Sequence, residues 1–322
     1  DKVPAEYSPE DICFSLQETA FAMLVETHSW KDYPTRVRVT RNIIVSLLEQ
    51  LRDHGQEWSA AAKAADARSA ATAGRPVPLD YTTTDKARPI DFRGYAYTRT
   101  PSEISGALMT RYDETKPQIW KVPLRDEIVP GRSVKAPGAG YVVPAAHAAW
   151  VGEKLRQHGI EFRALAQAHP TFDAQTFRVT KMEFGQQSVE GHQRLTVDGA
   201  WSNERRDLGA GALFVPIAQP KARLVMALLE PQAPDSLLGW GEFNNHFEQK
   251  EYMEAYVAEE VAREMLAKDA ALAAEFQRRL KDEPEFAKNP QVRLEFFARR
   301  HSSWDASYGL YPVLRADKAP LE

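Results

Sequence analysis

The stretch from Thr35 to Gly55 constrains the fold more than any other. Val39, Ile43, Ile44, Leu47, Leu48 and Leu51 recur at intervals of three and four residues, the repeat that gathers side chains on one face of an α-helix. Gly55 supplies the stop that such a helix takes at its C-terminus. Just before this helix, residues 20–25 read Ala-Phe-Ala-Met-Leu-Val. That apolar run is brief and leads into polar turn residues, so a buried strand is expected, with Glu26, Thr27 and His28 at its C-terminal end. The order is strand, polar loop, long helix.

Residues 60–73 are rich in Ala, Lys, Asp and Arg and hold no large apolar side chain. They read as a solvated helix or linker with no core of its own. Gly74, Pro76 and Pro78 then break any helix. From Pro89 to Glu230 the pattern turns strand-like, in runs at 92–97, 118–124, 141–143, 162–165, 176–184, 192–197, 212–217 and 224–229, with Pro and Gly between them. One helix is expected within this block, over residues 144–157, stopped by Gly159. After Trp240, the spacing of Tyr252, Tyr256, Val257, Val261, Met265 and Leu266 is helical again, and Tyr311 to Leu314 form a last extended piece. The chain has 322 residues, more than a single domain of roughly 100 to 200. The expected division is residues 1–58, a linker at 59–88, a β-rich α+β domain at 89–232 and a helical region at 233–322.

Composition narrows the function. Hydrophobic residues make up 43% and charged residues 27%, the balance of a folded chain. The net charge of -4, from 41 basic and 45 acidic residues, and the lack of any long Lys or Arg run argue against nucleic acid as a partner. No stretch has the 18 or so apolar residues of a membrane span, so no membrane insertion is expected. Cys13 is the single cysteine, which excludes an internal disulfide and a cysteine-cluster zinc site.

The segment Phe21-Ala22-Met23-Leu24-Val25-Glu26-Thr27-His28, with the helix over residues 36–52, resembles the end of the catalytic domain of the zinc carboxypeptidases, the carboxypeptidase A-like metallopeptidases. In that family a late strand delivers a glutamate to zinc-bound water and a long helix follows; Glu26 stands at the matching position. A later segment, Leu228-Leu229-Glu230-Pro231 with residues 235–240 and Phe243-Asn244, is similar to one that follows the catalytic domain in a group of bacterial members. The fold class this implies is α/β: the end of a carboxypeptidase-like α/β catalytic domain, followed by the β-rich α+β domain and the helical C-terminal region. The zinc ligands of the family, a His-x-x-Glu pair and a more distant His, all precede the glutamate. No histidine precedes Glu26 here, so the resemblance puts zinc in the parent enzyme with its ligands in upstream polypeptide, and no metal ligand in this chain.

Glu26 also has a physical case of its own. Hydrolysis on a metal-bound water needs a carboxylate that is not a ligand, held in reach of the water to accept its proton and return it to the leaving amine. The other reading is a structural carboxylate that caps a loop or pairs with an Arg such as Arg36. His28, two residues on, shares a face with Glu26 in extended chain and reads as a residue that orders the loop beside the site; Arg36 is assigned the same supporting position. His54-Gly55-Gln56-Glu57 and His158-Gly159-Ile160-Glu161 both spell His-x-x-Glu. Each falls where a helix is expected to end, and capping accounts for the Gly and His. His147, His169, His192, His246 and His301 are scattered and read as surface or satisfied histidines. Trp240, Phe243, Phe247, Tyr252 and Tyr256 read as a core or a domain seam before a ligand groove.

The implied function is part of a zinc-dependent metallocarboxypeptidase, a proteolytic hydrolase of peptide or amide bonds. Glu26 is its general base and acid on zinc-bound water. Its partners are a peptide or peptide-like substrate and the upstream part of the catalytic domain, and this chain alone is expected to be inactive. Relatives with the extra C-terminal region are exported bacterial proteins, which implies a periplasmic or secreted location, with the cytoplasm as the alternative. The competing reading is a noncatalytic binding or scaffold module derived from that family.

Overall fold

A computed structural model describes residues 23–249 and 252–321. Cys13 and residues 20–22 of the expected first strand lie outside them. The fold is mixed α/β, with a six-stranded sheet and three two-stranded pairs, and divides into two compact units.

The first unit comprises residues up to 140 and 216–228. Its main element is α1 (Tyr33–Ala70), a helix of 38 residues. Asp32 caps it by accepting a hydrogen bond from the Thr35 amide at 2.9 Å, and Pro34 occupies the first turn, where its missing N–H costs nothing. The helix does not stop at Gly55. A mid-helix glycine costs only about 1 kcal/mol against alanine, and the alanine-rich run that follows has the best helix propensity available. The sequence signals for linker and helix were the same residues, and helix prevails. Near its end Ser69 is buried, its hydroxyl accepting from the Arg223 amide at 3.3 Å.

After the helix come β1 (Pro76–Pro78), β2 (Tyr81–Thr83), β3 (Arg88–Pro101), β4 (Leu108–Leu124), β5 (Ile128–Pro130) and β6 (Ser133–Lys135). β1 pairs with β6 and β2 with β5, both antiparallel. β3 and β4 form a long ribbon with a bulge between Tyr95 and Ala96. Gly94 allows this ribbon its packing, because the Trp120 indole lies where a side chain at 94 would project. Phe92 stacks on Trp120 at 6.1 Å and Tyr97 meets it edge-on at 5.8 Å.

The expected strand at 224–229 is instead a helix, α3 (Ala222–Leu229). A short, wholly apolar run has no periodicity with which to separate the two states when every face is covered, and Ala222, Leu224, Val225, Met226 and Ala227 are all buried.

The second unit comprises residues 141–215 and 229 onward. Its sheet runs β10 (His192–Leu208), β9 (His169–Val189), β12 (Leu310–Ala316), β7 (Gly140–Val143), β11 (Leu213–Pro216), β8 (Arg163–Ala164). The β9–β10, β9–β12 and β8–β11 pairs are antiparallel. β7 and β12 lie inside the sheet, and their residues are almost all buried. α2 (Ala145–Gln157) follows β7 and turns Val151 and Leu155 fully inward; a side-chain carbon at Gly152 would come within 3.2 Å of Leu213. Gly159, with φ 63°, ends the helix as the sequence indicates.

Four helices, α4 (Ala255–Lys268), α5 (Ala270–Asp282), α6 (Pro284–Lys288) and α7 (Pro290–Ala298), enclose a second core of Leu272, Phe286, Phe296 and Phe297, with Phe276 and Leu280 packed against it. Asp269 and Asn289 cap α5 and α7. Arg279 and Arg300 lie over the Phe286 and Phe296 rings at 4.3 and 3.8 Å, so the stems cover apolar surface while the cations stay near water.

One ion pair lies inside this unit. Glu230 receives two hydrogen bonds from the Arg315 guanidinium, at 2.8 and 2.5 Å, and a third from the Tyr141 hydroxyl. Arg315 also lies 4.3 Å from the Trp201 ring, and the Tyr311 hydroxyl donates to the Leu229 carbonyl at 3.1 Å. Burial, and then the Glu230 charge, push the Tyr141 phenol well above the ordinary tyrosine range, so it remains a donor.

Candidate functional site

Residues 23–28 form neither helix nor strand, and a turn at residues 29 and 30 leads to the Asp32 cap. The buried strand expected at 20–25 is therefore not found over its described part, where Met23 and Leu24 are 58% and 65% exposed. The apolar character that suggested a strand is present, but only Val25 of the described part is half-buried.

Glu26 is exposed, and among the described residues it makes no hydrogen bond or ion pair. It is thus not desolvated as an end-of-strand carboxylate would be, nor does it pair with Arg36. His28 is also exposed and is engaged locally: its Nδ1 accepts from the Trp30 amide at 3.2 Å and its carbonyl from the Lys31 amide at 3.1 Å. The Thr35 amide and hydroxyl hold the Asp32 carboxyl below its usual range by donating to it.

Arg36 is half-buried and sits 5.9 Å from the Tyr33 ring, with a buried Nε that has no hydrogen-bond partner. It lines a shallow groove of about 480 Å³ together with Thr27, Tyr33, Thr40, Arg41 and Ile44. Thr27 and Arg36 thus share a groove, whereas Glu26 and His28 do not line it.

Around the groove, α1 leaves an apolar stripe in the open. Val37, Ile44, Val45, Leu48 and Leu51 are all exposed, Leu48 by 59%. Val37, Ile44, Leu48 and Leu51 fall at three-, four- and seven-residue intervals on one face of the helix, with Val45 beside Ile44 at its edge. Of the stripe read from sequence, Val39, Ile44, Leu48 and Leu51 are exposed while Ile43 and Leu47 are half-buried.

Among the described residues no three His, Cys, Asp or Glu side chains stand close enough to share a metal ion. His54 lies within α1, its ring 3.7 Å from the Glu57 carboxylate and stacked near Trp58, so this His-x-x-Glu is one turn of exposed helix. His158 is the C-cap of α2.

A pairing that the sequence did not suggest joins His147 and His246, 99 positions apart, whose Nε2 atoms are 3.0 Å from each other. Phe243 lies against both rings, and burial lowers the His147 pKa from its ordinary value. Neither histidine had a local motif; only the approach of α2 to the single-turn 3-10 helix Asn244–His246 brings them together. Of the aromatic residues at 240–256, Phe243 and Phe247 are core, and Tyr252 and Tyr256 are exposed.

Among the described residues no helix is long and apolar enough to cross a membrane. Comparison with protein-family models, with curated proteins and with solved structures finds no match in any of the three.

Proposed function

We propose that this chain is the C-terminal portion of a zinc-dependent metallocarboxypeptidase that hydrolyses a peptide or amide bond, with Glu26 as the carboxylate that accepts and returns the proton of the hydrolytic water. The observation that carries the reading is the pairing of an exposed Glu26, without a hydrogen bond or ion pair among the described residues, with a long capped helix that leaves apolar side chains open. An amphipathic helix of this kind gains most of its stability from covering that face. Upstream polypeptide that supplies the rest of a catalytic domain would cover it, bury Met23 and Leu24, and desolvate Glu26. On this reading, as the resemblance implies, the ligands of the catalytic zinc belong to that polypeptide. The β-rich and helical regions are accessory to it.

The exposure of Glu26 also favours a second reading, in which the segment is a relic and the chain is a noncatalytic binding or scaffold module. Hydrolysis of a short peptide by the polypeptide extended upstream separates the two. The first reading expects Glu26→Gln to lower the rate by roughly 10²- to 10⁴-fold, the usual contribution of a general base, with the fold intact. Equal rates in wild type and variant, or no hydrolysis by the extended polypeptide, would refute it.

A further inference from the structure

His147 stands in the first turn of α2, and His246 closes the turn Asn244–His246. Their ring centroids are 5.0 Å apart at an interplanar angle of 55°. Both positions are fixed by backbone and packing. The His147 amide donates to the Pro144 carbonyl at 2.9 Å, and the His246 carbonyl accepts from the Gly309 amide at 3.0 Å, just before β12. Phe243 packs edge-on against His147 at 5.2 Å, and Trp150 does so at 6.0 Å. Both imidazoles are half-buried, so solvent reaches the pair.

Two imidazole nitrogens bound to one metal at roughly 2.0 to 2.1 Å lie about 2.9 Å apart at a right angle and about 3.4 Å apart at the tetrahedral angle. The observed Nε2–Nε2 separation of 3.0 Å falls inside that interval. We propose that His147 and His246 form a two-imidazole site for a divalent late transition metal, Zn(II) or Cu(II), which ties the first turn of α2 to the chain entering β12. Imidazole suits both ions, and water completes the coordination.

Loading changes the proton positions in a defined way. The His147 Nδ1 accepts from the Trp150 indole N–H at 3.4 Å, which places the His147 proton on Nε2 in the metal-free pair. When the metal takes Nε2, that proton moves to Nδ1, and the indole N–H must turn away. Trp150 is itself only half-buried and has room to do so. Its fluorescence therefore reports occupancy.

The test is calorimetric titration of the whole chain, first stripped by chelator, with Zn(II) or Cu(II) alone. One ion per chain is expected, with a change in tryptophan emission that Trp150→Phe removes. His147→Gln and His246→Gln should each weaken binding by about tenfold or more, at least the loss that follows from disturbing a ligand's supporting contacts; His54→Gln should bind as wild type does. Circular dichroism checks that each variant folds, and if one does not, the other variant and the Trp150→Phe emission decide. Binding that survives both histidine variants unchanged, or the absence of one-to-one binding, would overturn the site and leave a hydrogen-bonded pair only.

Discussion

Glu230 and Glu26 are two carboxylates treated in opposite ways. Glu230 is 1% exposed and takes three hydrogen bonds from Arg315 and Tyr141; Glu26 is exposed and takes none among the described residues. Their surroundings follow the same contrast: Tyr141, Val142, Val143, Tyr311 and Val313 are fully buried near the first, while Met23, Leu24 and the α1 stripe are open near the second. A buried, fully partnered carboxylate has its work done by the fold that contains it. On the proposed reading, an exposed carboxylate without a partner among the described residues, beside open apolar surface, is completed by polypeptide that lies upstream.

Substitutions can break this contrast or sharpen it. The largest expected effect is at Glu230: Glu230→Ala leaves the Arg315 charge buried without a partner and should cost about 3 to 5 kcal/mol in denaturant unfolding. Glu26→Gln in the same chain should stay within about 0.5 kcal/mol of wild type. Leu155→Ala, which opens a cavity under α2, should cost about 2 to 5 kcal/mol, whereas Leu48→Ala on the exposed stripe should cost about 0.5 kcal/mol or less. Gly55→Ala should stabilise α1 by about 0.5 to 1 kcal/mol, since nothing lies within 4 Å of the added carbon.

The smallest effect concerns pH. Burial lowers the His147 pKa in the folded state, so the unfolded chain binds more protons just below the ordinary histidine value of about 6.5. The increment of stability from the neutral ring is complete above that value and is lost as pH falls toward the folded pKa. Melting temperatures of metal-free protein between pH 5 and pH 8, approximately the histidine range, should show a slope that His147→Gln flattens.

Much of the fold was legible because its signals are local. The three- and four-residue repeat of α1, the stop at Gly159 and the strand-like runs within β3, β4, β9 and β10 are set by neighbours in sequence. The errors come from covering and context. The run at 224–229 reads as strand until every face is seen to be buried, and Gly55 reads as a cap until the alanines beyond it carry the helix on. Residues 23–25 have a strand's composition without a sheet to join among the described residues. At the candidate site, the exposure of Glu26 and His28 was not legible, because burial depends on residues far along the chain or outside it. His147 and His246 were invisible for the same reason: no spacing rule links residues 99 apart.

Hydrogen exchange over α1, compared between this chain and the polypeptide extended upstream, tests the account most directly. In this chain the α1 amides should exchange well ahead of those in β7 and β12, because local opening is easiest where few apolar contacts hold an element. In the extended polypeptide the protection of residues 37–51 should rise by about tenfold or more, an added cover of about 1.4 kcal/mol or more. Equal protection of α1 in the two proteins would contradict the claim that this helix and the Glu26 segment complete a domain begun upstream.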